Sequence, residues 1–482
     1  VLAAGFHVVA AQQAPKDDVL AERIARIEKG LLPSSIIKGK PLPFATVAER
    51  MGHFHDPGLT VAFIDNGKIS WVRNYGFADV EGHRPVTEDT LFQCASISKP
   101  VTAVATMRLV QEGKIRLDED INTMLQGWKI PENDFTREKK VTVRRVLSHT
   151  AGLTVHGFAG YELGDSLPTL EQMLNGEKPA NSDPVRVEAV PGTVANYSGG
   201  GYVVLRKLLS DVMHQPFPEV MDRLVLKPVG MMHSTYQQPL PESLKLSAAT
   251  AYQSNGQPFK GRFHIYPEMG PDGLWTTASD LARFALEIQN EYAGKSNKVL
   301  SQATAQEMLT PQKDERALGF VVSKAGGKPY FEHSGSNFGF FSEMFAFNES
   351  GGQGIIVLTN GNNIRLIYEY IRAVSREYSW PEFQPKERTL GNPVDSATLA
   401  KYAGTYENPE VGKIQISTRN NQLFIQASGM RMEEPEELFP ESEASFFILT
   451  DSQPFTFKKD ESGRVVELII QYHSPLVAKK IS

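Results

Sequence analysis

Apolar residues follow two different spacings along this chain, and the spacings separate strands from helices. Leu59-Thr60-Val61-Ala62-Phe63-Ile64 and Ile69-Ser70-Trp71-Val72 are two short apolar runs split by Asp65-Asn66-Gly67-Lys68, which predicts a β-hairpin. Farther on, Val101, Val104, Met107, Leu109 and Val110 spread apolar character around most of a helical circumference, and Gly113 supplies the stop. That pattern predicts a buried helix over residues 96–112 with Ser96 at its N-terminal end. Leu20, Ile24 and Ile27 share one face of a shorter amphipathic helix over residues 19–30, expected to pack onto the main body. Aromatic and β-branched residues then concentrate in segments 319–322, 330–333, 340–347 and 354–358, a second block of strands. Strands at both sequence ends with helices between them indicate an α+β fold.

Residues 380–393, Trp380-Pro381-Glu382-Phe383-Gln384-Pro385 and onward to Pro393, break the pattern with polar and proline positions that suit a linker. Beyond them Ile414, Ile416, Leu423-Phe424-Ile425, Phe446-Phe447-Ile448-Leu449, Phe455, Phe457 and residues 465–472 form short apolar segments. Asn420-Asn421 and Asp460-Glu461-Ser462-Gly463 separate them. This reads as an antiparallel β-domain, barrel-like in character. The expected organisation is an N-terminal segment over 1–30, a main domain over 31–380, a linker over 381–396 and the β-domain over 397–482.

The length of 482 residues agrees with more than one core, since single cores stop growing at roughly 250–300 residues. Formal net charge is −6, and no dense Lys/Arg block is present, which argues against nucleic acid as a partner. No interior run approaches the ~20 apolar residues a spanning helix needs, so stable membrane insertion is not expected. Residues 1–11 are apolar and end in small residues, like the core and cleavage site of a truncated secretory signal, although His7 interrupts the run and no basic segment precedes it. Export to a periplasm or secretion is the expectation. A single cysteine, Cys94, excludes a disulfide framework and a cysteine-rich metal site.

Ser96-Ile97-Ser98-Lys99 places a hydroxyl and an amine three positions apart on one helix face. A second match, Ser35-Ile36-Ile37-Lys38, has no helix behind it and reads as a loop serine followed by a surface lysine. Burial of Lys99 should lower its pKa, and a neutral amine beside a serine can take its proton. Two further segments join this one: Pro191-Gly192-Thr193-Val194-Ala195-Asn196-Tyr197-Ser198-Gly199, and His333-Ser334-Gly335-Ser336 at the end of a predicted strand.

In this order the three segments resemble the S-x-x-K, Y-x-N and K/H-T/S-G motifs of the penicillin-binding protein and class C β-lactamase superfamily. The resemblance extends to residues 147–153, 226–231 and 273–281, and covers roughly residues 45–375. It implies a transpeptidase-like fold, an antiparallel sheet covered by helices, and a C-terminal lipocalin-like β-domain, a pairing similar to that of some D-amino-acid-specific peptidases of the family. It also implies Ser96 as nucleophile, with Lys99 and Tyr197 sharing the proton transfers as a coupled pair. The amides of Ser96 and Ser336 would form the oxyanion hole. Ser334 and Gly335 would lie on an edge strand that the substrate backbone approaches. His333, in place of the lactamase lysine, would meet a substrate carboxylate as a group titrating near neutral pH. Gly199 departs from the family asparagine, so an amide contact to the acylamide of a β-lactam or peptide is lost.

Other candidates have plainer readings. His149 lies in a helix-end turn and reads as a structural histidine, and His53-Phe54-His55-Asp56 as loop without a completed ligand set. Gly199-Gly200-Gly201 lacks the partners of a phosphate cradle and suggests backbone freedom beside the site. Tyr266, Pro267, Glu268 and Asp272 are cleft-lining or solvated loop residues.

The expected function is hydrolysis of a small ester or a D-amino-acid peptide through an acyl-enzyme on Ser96, with neither metal nor organic cofactor. A class C-type β-lactamase, and a penicillin-binding sensor or scaffold with slow deacylation, are the alternatives. The partners are then a small-molecule ester, peptide or β-lactam, and nothing in the sequence sets an oligomeric state.

Overall fold

A computed structural model of the chain describes residues 16–472 and 474–482. Residues 1–11, read as a signal remnant, lie outside them. Helix α1 (Lys16–Glu28) is the amphipathic helix expected near the N-terminus, with Ile24 and Ile27 buried.

Seven antiparallel strands form the central sheet: β1 (Gly58–Asp65), β2 (Lys68–Asp79), β3 (Arg84–Pro85), β4 (Val321–Ala325), β5 (Lys328–Asn337), β6 (Phe340–Phe347) and β7 (Gly354–Thr359). Their spatial order is β3-β2-β1-β7-β6-β5-β4. The two ends of the main domain therefore meet in the middle of the sheet, where β1 pairs with β7. Both faces are covered, which is why the central strands read as continuous apolar runs. Leu59, Val61 and Phe63 of β1, with Ile355 and Val357 of β7, pack toward α1 and helix α5 (Ile364–Glu377). Ala62 and Ile64, with Ile356 and Leu358, pack toward the helical region between β3 and β4.

That region contains α2 (Ser98–Gln111), α3 (Gly199–Met213) and α4 (Ala278–Tyr292). Helix α2 is buried on nearly all sides, as its apolar circumference requires. Its sequence-based start differs in one respect: Ser96 lies in a 3-10 turn, Ala95–Ile97, that leads into the α-helix. The His53-Phe54-His55 segment, read as loop, instead ends a helix over Val47–Phe54, with His55 as its left-handed cap.

After a short strand, Lys386–Arg388, the chain forms an eight-stranded closed antiparallel barrel from Gly404–Asn408 to Leu476–Lys480. Side chains of its own strands occupy its interior, among them Tyr406, Ile416, Ile425, Phe455, Phe457 and Leu468, as expected for a closed eight-stranded barrel. Ser35–Ile37 pairs in parallel with Lys386–Arg388, and Ser35 donates to Leu449 O (2.8 Å) and to Asp451 O (3.0 Å). The competing Ser35…Lys38 motif is thus a strand that fastens the barrel to the main domain. Among the described residues no helix is long and apolar enough to cross a membrane.

Candidate active site

Gln93 and Phe92 pair with Trp275–Thr276, so the chain enters the turn that carries Ser96 beside the 272–276 segment. Cys94 N donates to Leu274 O (3.1 Å) and Leu274 N donates to Ser98 Oγ (3.0 Å), which clamps the two segments on both sides of Ser96. Ala95 takes a left-handed backbone (φ 47°), a conformation that costs a non-glycine residue on the order of 1–3 kcal/mol and is held only by such surroundings. Ser98 is spent on this scaffold, since its hydroxyl donates to Ala95 O at 2.6 Å. Ser198 is likewise spent: it caps α3 and donates to Thr154 O at 2.8 Å.

Strand β5 brings the third motif to the same turn. Its pairing with β4 ends at Val321 opposite Glu332, so residues 333–337 run along an edge that β4 leaves open. Gly335 makes the approach feasible, because a β-carbon there would stand 2.3 Å from Cys94 O and 2.3 Å from Ser342 Oγ. Ser342 Oγ donates to Cys94 O (2.8 Å) and secures the contact from β6. Ser334 and Ser336 are exposed on either side of buried Gly335.

The reactive groups converge in a small volume. Lys99 Nζ lies 2.8 Å from Ser96 Oγ, and its side chain is buried. The same nitrogen donates to Pro271 O (3.1 Å) and Asp272 Oδ1 (3.2 Å), and Ser96 Oγ donates to Asp272 Oδ1 (2.9 Å). Tyr197 enters from the N-terminal end of α3 with its ring centroid 4.9 Å from Lys99 Nζ. His149 stacks against Tyr197 (4.4 Å between centroids) and accepts from Ser198 N through Nδ1 (3.1 Å).

The electrostatics differ from the sequence expectation at two residues. Burial does push Lys99 toward neutrality, but the Asp272 carboxylate and Tyr197 outweigh it and raise its pKa above the usual lysine value. The direction is opposite to the one expected from burial alone. His333 is pushed down to about 3, first by burial and then by the Lys99 charge. Its Nδ1 lies 2.7 Å from Ser334 O, and since a carbonyl only accepts, Nδ1 carries the hydrogen. It is a neutral imidazole, so it does not titrate near neutral pH as expected. His149 is also pushed toward neutrality, by burial and then by Lys99.

A positive charge at this site does come from elsewhere. The Arg316 guanidinium stands 5.8 Å from the Tyr197 ring centroid, on the half-buried loop before β4. Nothing in the sequence around Arg316 marks it, because its place depends on where that loop folds. Phe158 is the second residue without a sequence signal. A β-carbon on Gly199 would meet its ring at 2.7 Å, and one on Gly200 would meet Thr154 O at 2.8 Å. These glycines lie in the first turn of α3 without left-handed backbone angles. They provide room for the 154–158 loop, not the backbone freedom inferred from sequence. Asp272, read as cleft or loop, is in contact with both Ser96 and Lys99.

With a serine beside a buried lysine, an aromatic hydroxyl residue and an open β-edge on this fold, the protein is of the serine hydrolase class. The chain belongs to the β-lactamase family, whose model matches residues 45–369. A domain of unknown function, DUF3471, matches residues 391–480. The chain is 23% identical over 447 residues to penicillin-binding protein 4* of Bacillus subtilis (strain 168), covering 86% of this chain and 93% of that protein. It is 26% identical over 379 residues to penicillin-binding protein 4 of Amycolatopsis lactamdurans, covering 73% and 93%. In fold it is similar to the octameric penicillin-binding protein homologue from Pyrococcus abyssi, with a TM-score of 0.62 at 22% identity over 90% of this chain and 98% of that one.

Proposed function

We propose that the protein hydrolyses small esters or amides, including D-amino-acid peptides, through an acyl-enzyme on Ser96. The observation that carries this reading is the buried Lys99 Nζ at 2.8 Å from Ser96 Oγ beside an open β-edge. Lys99 and Tyr197 share the proton transfers, and the amides of Ser96 and Ser336 receive the oxyanion. Substrate preference follows from two features of the cleft. Phe158 sits against Gly199, where the family asparagine would offer an amide, so the acyl side meets an aromatic ring. His333 is neutral, and a substrate carboxylate would find its counter-charge at Arg316. The first feature favours a compact acyl group over the acylamide of a β-lactam, while Arg316 keeps a site for a carboxylate. The residues ahead of the described chain are consistent in composition with an exported protein.

The test is turnover of p-nitrophenyl esters and a chromogenic cephalosporin, with intact mass recorded before and after a fluorophosphonate probe. Expected are catalytic ester turnover, one probe adduct, and loss of both in Ser96→Ala. A preference for the cephalosporin beyond about tenfold, more than one neutral hydrogen bond could offset, would make the protein a lactamase. A single stable adduct without turnover would make it a sensor.

A further inference from the structure

We infer that Asp272 is a catalytic residue of this site, whose carboxylate takes the Ser96 proton during acylation while the Lys99 ammonium stabilises the serine oxygen. The inference rests on the acyl-enzyme reading above and concerns which group is the base.

Ser96 Oγ has one hydrogen and two neighbours that could receive it, Lys99 Nζ at 2.8 Å and Asp272 Oδ1 at 2.9 Å. The surroundings of Lys99 decide between them. Its nitrogen also faces Pro271 O at 3.1 Å and Asp272 Oδ1 at 3.2 Å, and both oxygens only accept. An ammonium has three hydrogens for these three oxygens and no lone pair left for the serine proton. The opposite arrangement, a neutral amine accepting from Ser96, would leave a serine oxygen without a hydrogen toward a carboxylate 2.9 Å away. Asp272 is itself fixed: it is buried, its N–H donates to Met269 O (3.2 Å), and its carbonyl accepts from Asn337 Nδ2 (3.2 Å). Asn337 in turn donates to Gln93 Oε1 (2.8 Å), three residues before the nucleophile.

The step balances. The Ser96 O–H bond breaks, its proton passes to Asp272 Oδ1, and the Oγ electron pair forms a bond to the substrate carbonyl carbon. The carbonyl π pair moves onto oxygen. On collapse the bond to the leaving group breaks, the leaving atom keeps the pair and takes a proton from Tyr197, and Asp272 returns its proton to Tyr197 through Lys99. Net charge is conserved in the first step, because the carboxylate's negative charge is replaced by that of the tetrahedral oxyanion, held by the Ser96 and Ser336 amides, while Asp272 becomes a neutral acid beside the Lys99 ammonium. No additional ion has to be desolvated. A neutral Lys99 acting as base would instead begin with the Asp272 carboxylate lacking its counter-ion.

The experiment uses the full chain with p-nitrophenyl acetate and the fluorophosphonate probe on wild type, Asp272→Asn and Asp272→Ala. Melting curves confirm folding. Expected for Asp272→Asn is a loss of about 10²- to 10⁴-fold in kcat and in labelling rate, with KM within about threefold of wild type. Added formate should restore part of the activity of Asp272→Ala. Should Asp272→Asn not fold, formate rescue of Asp272→Ala decides, and its absence overturns the inference. Activity of Asp272→Asn within about threefold of wild type also overturns it. So does an increase, which would make the carboxylate a brake that keeps Lys99 protonated. If wild type itself fails to acylate at Ser96, the hydrolase reading falls; if wild type acylates and Asp272→Asn acylates equally, only the assignment of the base falls.

Discussion

Gly335 lies so close to Cys94 that a β-carbon would stand 2.3 Å from the Cys94 carbonyl oxygen. The glycine of the third motif is therefore required by packing, because it lets the open end of β5 touch the turn that carries Ser96. The amide of Ser336 follows directly after that contact.

Gly335→Ala should push β5 away from the turn that carries Ser96. Overpacking of this kind costs about 1–3 kcal/mol of stability. The Ser336 amide, the proposed oxyanion donor, moves with the strand, and loss of one such donor lowers kcat by about 10²- to 10³-fold. Ester kinetics with a parallel thermal melt checks this: a folded Gly335→Ala with wild-type kcat would show that the strand does not need the contact.

Gly199→Asn tests the exchange of an amide for an aromatic ring. Alone it should destabilise the protein by about 1–3 kcal/mol, because its side chain enters the space of Phe158. Adding Phe158→Ala should recover stability, so the two changes are non-additive in a double-mutant cycle. The double variant should also narrow the gap between a short aryl ester and a chromogenic cephalosporin by about three- to tenfold, the worth of one neutral hydrogen bond. Equal melting temperatures for Gly199→Asn and wild type would mean that Phe158 yields without cost.

His333 sets a dependence on pH through stability. Burial holds its pKa at about 3 in the folded protein, while an unfolded histidine titrates near ~6.5. Between those values the unfolded chain binds a proton that the native state does not. The stabilisation is therefore complete above the unfolded value and is lost as pH falls toward about 3. His333→Asn should show a shallower loss of stability on acidification than wild type, measured by urea midpoints across that range. The His333 ring proton shift in NMR should stay constant from about pH 8 to 5; a midpoint inside that window would mean that the imidazole is solvated.

Much of the architecture is legible along the chain. The β1–β2 hairpin, the apolar circumference of α2 and the aromatic strands β5 to β7 all bury residues in periods that a linear reading detects. The short strands after the linker close into a barrel, as their alternation with turn residues suggests. Less visible was the start of α2, where Ser96 occupies a 3-10 turn held by contacts to Leu274, a residue distant in sequence.

Motif chemistry behaves in the same way. Local spacing alone places Ser96 and Lys99 on one face, since three positions make nearly one helical turn, and the alternation of β5 exposes Ser334 and Ser336 while burying His333 and Gly335. The charge states of those groups were decided only in three dimensions. Burial by itself predicts a neutral Lys99, yet a carboxylate from residue 272 arrives at 3.2 Å and reverses the sign. Burial of His333, and then the nearby Lys99 charge, removes the charge that its position in the motif suggests. Arg316 and Phe158 enter the site from loops with no periodic pattern. Side-chain period is a property of neighbours along the chain, whereas an electrostatic environment sums over every group within a few ångströms in space, and only the folded chain determines which groups those are.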